Sequence, residues 1–161
     1  VIARVDQLCF LVEDIDEGID RYSELFPATH WRIYRYGPDT IPALGYRGGP
    51  GRFSFWVALS DIDPQIELIQ SLEGPSIYTE WIEQHGLGFH HLGSFTKSID
   101  ADAAALEARG IAISQWGRGY GLDGDGGFTY LDSLEQLGVI VELIEIPARR
   151  RTPERERTVT R

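Results

Sequence analysis

Short strand-like runs and helical segments alternate along the chain, and their order repeats. Residues 5–12 (VDQLCFLV) read as a strand; Asp14 then stands as an N-cap before a segment in which Ile15, Ile19, Tyr22 and Phe26 share one helical face. Three further strand-like runs follow at 30–36 (HWRIYRY), 53–59 (FSFWVAL) and 65–70 (QIELIQ). A helical linker around 77–84 leads into the same series again. FHHLGSF lies at 89–95, a helix runs from Ser98 or Asp100 to Arg109, and IAISQW (111–116), FTYLD (128–132) and VIVELIEI (139–146) complete it. The pattern predicts two βαβββ modules, about 3–73 and 87–147, joined by a linker at about 75–86. Neither module can cover both faces of a four-stranded sheet by itself. The expected fold is therefore α+β, one domain over residues 1–147 whose modules pair into a cupped, partly open barrel with helices outside. Two glycine-rich stretches, 37–52 and 117–127, fall between middle strands and read as flexible loops able to close over the cup.

Side chains on a strand alternate between faces, which isolates polar residues placed among apolar ones. In the last strand Ile140, Glu142, Ile144 and Ile146 share a face, so Glu142 sits among isoleucines. A carboxylate in such company must pair, protonate or bind a cation. Aligning IELIQ (66–70) on VELIE (141–145) makes Glu67 its counterpart, and aligning VDQLCF on FHHLGSF sets Gln7 against His91. A pseudo-twofold relating the modules would gather Gln7, Glu67, His91 and Glu142 in the cup as three oxygens and one nitrogen for a divalent metal. His90, by alternation, is expected to point away from His91 and pack beneath the sheet.

Composition narrows the alternatives. Residues 149–161 carry six Arg against two Glu, a net +4 on a chain of net charge −10, so the remainder is strongly acidic and nucleic acid is not an expected partner. The basic tail, 148–161, is expected to be flexible and without a role in function. No apolar run approaches the roughly 20 residues that cross a bilayer, and the opening residues lack secretory-signal features, which suggests a cytoplasmic protein without membrane contact. Cys9 is the single cysteine, which excludes an intrachain disulfide. Aromatic and basic side chains of the middle strands and loops, among them Arg47, Arg52, Trp56, Trp116 and Tyr130, are candidates for binding a small-molecule substrate.

These modules and residues resemble the vicinal oxygen chelate superfamily, which includes glyoxalase I, methylmalonyl-CoA epimerase, extradiol dioxygenases and the fosfomycin and bleomycin resistance proteins. The likeness spans residues 3 to about 147. Residues 66–93 (IELIQSLEGPSIYTEWIEQHGLGFHHLG) and 138–145 (GVIVELIE) look most like methylmalonyl-CoA epimerases, whereas the set Gln7, Glu67, His91, Glu142 resembles the ligands of one class of glyoxalase I. The resemblance implies one divalent ion, with Zn, Co, Ni, Mn and Fe all open, and a homodimer. It also implies an isomerase, epimerase or lyase that abstracts a proton next to a carbonyl, with Glu67 or Glu142 leaving the metal to act as base, on an acyl-CoA-like or other small carbonyl substrate. Two other classes follow from the same superfamily: an extradiol-type dioxygenase, against which Gln7 argues because such iron sites use two His and one carboxylate, and a metal-free protein that sequesters an aromatic compound.

Overall fold

The computed structural model describes residues 2–160. In chain order its elements are β1 (Gln7–Leu11), α1 (Ile15–Leu25), β2 (His30–Tyr36), β3 (Ala43–Tyr46), β4 (Gly49–Pro50), β5 (Ser54–Ser60), β6 (Gln65–Glu73) and α2 (Ile77–His85). Then follow β7 (Gly88–Phe95), α3 (Ile99–Glu107), β8 (Ile113–Arg118), β9 (Gly127–Leu131), α4 (Leu134–Leu137), β10 (Ile140–Glu145) and β11 (Arg155–Thr158). The strands form one curled sheet in the order β11-β2-β5-β6-β1-β7-β10-β9-β8-β3-β4. The α+β architecture is the expected one, a half-barrel with α1 and α3 on its outer side, while α2 packs its Ile77 and Tyr78 into the inner cluster.

Each module places its last strand beside its first in parallel, and the two first strands, β1 and β7, meet antiparallel at the centre. Asp14 caps α1 through bonds from the Asp16 and Glu17 backbone N–H groups, and Ile15 and Ile19 lie buried against Trp31, Ile33, Ala58, Ile66 and Leu68. On the other module Ile99 and Leu106 of α3 pack on Leu131, Val141 and Leu143. The third apolar cluster lies inside the cup and is rich in rings: Tyr34, Tyr36, Phe53, Phe55, Tyr78, Tyr120, Phe128 and Tyr130.

Two expectations require correction. The stretch 37–52 is not simply a loop, because β3 crosses to the far module and pairs with β8, carrying β4 with it. Seven Cα steps separate Tyr36 from Ala43, a reach of at most about 25 Å, so the two ends of the sheet have to approach each other and the sheet has to curl. Gly45 permits the crossing: a Cβ there would fall 2.1 Å from the Trp116 ring, a place no larger residue can occupy unaltered. The tail is not wholly loose either. Arg155–Thr158 pair antiparallel with β2, and Arg155 and Arg157 grip Asp16 and Asp20 on α1. Strand propensity is weak there; the backbone edge and two acidic side chains hold it.

Trp31 is fully buried, and its indole N–H donates to the Ser23 hydroxyl at 3.0 Å, joining β2 to α1. Ser23→Ala leaves that donor without a partner and is expected to lower unfolding stability by about 1–3 kcal/mol, measured by urea denaturation with an unchanged m-value.

Candidate metal centre

The strand registers bring the polar set together. In the first module Gln7 lies beside Gln65 and Cys9 beside Glu67; in the second, His91 lies beside Ile140 and Gly93 beside Glu142. Gln7 and His91 therefore hold equivalent places, as do Glu67 and Glu142; Gln7, Glu67 and Glu142 line one cavity, and His91 lies against the two carboxylates. His91 Nε2 is 2.9 Å from a Glu142 oxygen and 3.3 Å from a Glu67 oxygen, and its side chain is fully buried. Gln7 donates from Nε2 to Gln65 Oε1 at 2.9 Å, which turns its amide oxygen away from Gln65. That oxygen lies over Gly93, where a Cβ would come within 3.0 Å of it. The equivalent position in the first module carries Cys9, which faces Glu67 and His91.

Polar satisfaction in this cluster is poor. Gln7 Oε1, Glu67 Oε2, His91 Nε2 and Glu142 Oε2 are buried without a hydrogen-bond partner in a proper direction. Proximity supplies Coulomb attraction between His91 and the carboxylates, while the alignment of a hydrogen bond is missing. Buried polar groups ordinarily find partners, so several orphans converging on one place mark a position for something else.

His91 is oriented from behind by His90. The register of β1 against β7 slips between Cys9 and Phe10, so that Cys9 faces His91 but Phe10 faces Phe89, leaving His90 as the extra residue of a β-bulge. Strict alternation would have sent His90 to the opposite face. The bulge instead turns its ring beside that of His91, with Nδ1 to Nδ1 at 2.8 Å, under Tyr78 and Trp81 of α2. Burial, and then the charge of His91, push His90 down to about 2, so it is neutral. Burial also opposes protonation of His91, yet Glu142 and Glu67 outweigh it and raise His91 to about 9. A protonated His91 donates from Nδ1 to the lone pair of neutral His90. The same bond leaves Nε2 as a lone-pair donor once its own proton has gone.

The cavity is about 40 Å³, space on the scale of a few water molecules. Gln7, Glu67 and Glu142 contribute its polar wall; Phe55, Tyr120, Phe128 and Tyr130 are among its rings, and Arg150 reaches it from the tail. Tyr130 bonds the Tyr78 hydroxyl at 2.8 Å and also reaches Glu142.

The sequence profile of the Glyoxalase/Bleomycin resistance protein/Dioxygenase superfamily matches residues 6–130. The chain belongs to this superfamily. Among solved structures, a hypothetical protein from Bacillus halodurans superimposes with a TM-score of 0.64 at 18% identity, over 92% of this chain and 98% of that one. The methylmalonyl-CoA epimerase of Mycobacterium tuberculosis gives 0.63 at 17% identity, over 91% and 89% of the two chains. A variant of the Streptomyces coelicolor methylmalonyl-CoA epimerase in complex with 2-nitronate-propionyl-CoA gives 0.65 at 17%, over 92% and 100%. At such identity the likeness is one of fold. No curated protein matches the sequence.

A divalent metal is what membership of the glyoxalase/dioxygenase superfamily implies, and the residues present fit one. The orphaned oxygens of Gln7, Glu67 and Glu142 and the orphaned nitrogen of His91 form a hard-to-borderline donor set. Cys9 Sγ lies within 4.8 Å of donor atoms of Glu67 and His91 and adds a softer donor beside them.

The other residues singled out from sequence are dispersed. Tyr130 lines the cavity. Trp56 alternates to the outer face of β5, where Arg155 lies 5.9 Å from its ring centre. Trp116 likewise lies outside, under Gly45 with Arg118 across its ring. Arg47 is held by Glu80 and Asp132, away from the cup, and Arg52 is exposed. Cys9, Tyr78 and Arg150 are site residues that the sequence pattern did not mark, and His90 is one whose direction alternation gives wrongly. Cys9 shared a face with Gln7 by simple alternation and was readable in principle; no sequence signal marked the bulge or the return of the tail.

Because His91 is held protonated up to about pH 9 in the metal-free protein, ligation has to displace a proton. Zinc affinity is expected to rise with pH from 6 towards 9, with release of about one proton per ion near pH 7.5, read by calorimetry in buffers of different ionisation enthalpy. His91→Ala should abolish stoichiometric uptake.

Proposed function

We propose that the protein is a divalent-metal-dependent isomerase, epimerase or lyase that removes a proton next to a carbonyl. Gln7, Glu67, His91 and Glu142 hold the ion, and Glu142 or Glu67 serves as the base. The observation that supports this reading most is the convergence of four buried, unpartnered donor atoms, three of them on the wall of an aromatic-lined cavity and the fourth, His91 Nε2, against its two carboxylates. A divalent ion bound there supplies Lewis-acid stabilisation of the negative charge that grows on a substrate oxygen, worth several kcal/mol.

The chain's own residues do the remainder. Burial lifts the Glu142 carboxyl above its ordinary range even though the His91 charge pulls it down, and the nearby Glu67 charge lifts it further. A carboxylate so placed takes a proton more readily than a solvated one, which brings it closer to the strength a carbon acid requires. Tyr130, braced by the Tyr78 hydroxyl at 2.8 Å, stands beside Glu142 on the cavity wall and favours its charged form. Phe55, Phe128 and Tyr120 keep bulk water from the proton in transit.

The small cavity suits the reacting end of a substrate whose bulk stays outside the mouth. That division fits an acyl-CoA-like or other small carbonyl compound, and the structural neighbours that are methylmalonyl-CoA epimerases, one in complex with methylmalonyl-CoA, give the first substrate to try.

The metal-loaded protein is expected to exchange the C2 proton of methylmalonyl-CoA for deuterium in heavy water, followed by NMR. Glu142→Gln should reduce the rate by about 10²–10⁴-fold while the fold persists. Absence of exchange with both methylmalonyl-CoA and the hemithioacetal of methylglyoxal would overturn the reading. Oxygen uptake with a catechol and ferrous iron, or tight binding of an aromatic compound by the metal-free protein, would put a dioxygenase or a sequestering protein in its place.

A further inference from the structure

Among the described residues the cavity has one cation in its lining, and it comes from the tail. Residues 147–151 return over the glycine-rich segment 117–127 and are pinned there at several points. Leu122 N–H donates to the Arg149 carbonyl at 3.0 Å, Ala148 N–H donates to Asp125 at 2.7 Å, and Arg151 Nε donates to the Tyr120 carbonyl at 3.3 Å. Pro147 sits so close to Gly121 and Gly126 that a Cβ at either would fall 2.5 Å or 2.9 Å from it. The arginines around this turn are engaged: Arg149 with Asp123, and Arg155 and Arg157 with Asp16 and Asp20. Arg150 has no carboxylate partner among the described residues. It is half-buried, lines the cavity with Gln7, Glu67 and Glu142, lies 5.7 Å from the centre of the Tyr120 ring and reaches Tyr36.

We propose that Arg150, with the Tyr36 hydroxyl beside it, is an anion-binding subsite at the mouth of the cup that selects carbonyl substrates bearing a free carboxylate next to the reacting carbon. A guanidinium beside the Tyr120 ring, on a backbone pinned at the residues to either side, presents its fork to a planar carboxylate, while the reacting carbonyl lies inside at Gln7, Glu67, His91 and Glu142. In an acidic protein with two glutamates lining the cavity, this cation also offsets the field that would turn an anionic substrate away. The subsite deepens the proposed proton-abstraction reading and rests on it for the position of the reacting carbonyl.

The test is calorimetric titration of zinc-loaded wild type, Arg150→Ala and Arg150→Lys with malonate, acetate and inorganic phosphate. Wild type is expected to bind malonate at least tenfold tighter than acetate, Arg150→Ala to lose that preference, and Arg150→Lys to keep part of it. Zinc content should be equal in all three. Equal affinities of wild type for malonate and acetate, or an unchanged preference in Arg150→Ala, would overturn the subsite. Phosphate binding tighter than malonate and dependent on Arg150 would overturn the carboxylate assignment. Retained zinc with no malonate preference leaves the metal centre standing and refutes the subsite alone. Absence of zinc uptake, with an Arg150-dependent malonate preference in the metal-free protein, refutes the metal reading and supports the subsite.

Discussion

Two glutamates and a histidine are buried together at the meeting of two modules, and most of the architecture follows from the need to make that tolerable. Removing carboxylates from water costs several kcal/mol each unless compensating charge and hydrogen bonds are supplied. Here the compensation is partial: His91 stands between Glu67 and Glu142 at 3.3 and 2.9 Å, yet none of the three closest atoms finds a directed partner. A core built for stability alone would place leucines at these positions. Gathering the charges commits the central seam to a task other than holding the halves together.

The surrounding structure keeps the cluster in place without satisfying it. Gly93 leaves space for the Gln7 amide, the bulge at His90 supplies a neutral acceptor behind His91, and Tyr78 on the linker helix braces Tyr130 against Glu142. Each device fixes a direction and leaves the inward-facing atom open. The same economy shows in the pseudo-twofold. Equivalent strands carry Gln7 and His91, but the next inward positions diverge, Cys9 in one module and Gly93 in the other, so a nearly symmetric scaffold frames an asymmetric set of donors.

The fold was legible in sequence because a repeated βαβββ pattern with two independent sets of alternating residues leaves few ways to bury both sheets. Glu142 among isoleucines was informative for the same reason, since a lone carboxylate on an apolar strand face requires a cause. What escaped was governed by backbone irregularity and by distant contact. His90 follows alternation until a single register slip turns it round, and nothing local to GLGFHHLG announces that slip. Trp56 and Trp116 could be assigned to an inner or an outer face only once neighbouring strands were in register. The tail reads as flexible and basic, yet its arginines meet acidic residues of α1 far away in sequence, and Arg150 arrives at the cavity because its neighbours contact residues 23 to 31 positions upstream, which no periodicity encodes.

The crossing of β3 from the edge of one module to the edge of the other has a consequence for the ancestry of such a chain. A half-length polypeptide ending after β6 would retain β3 and β4 but lack β8, the strand that receives them, and would expose the inner faces of β1 and β6. Two such fragments could satisfy each other only by exchanging their crossing strands. The contemporary protein therefore carries, within one polypeptide, the interlocked arrangement of a swapped pair, and separate expression of its halves should yield material that becomes soluble only when both are present.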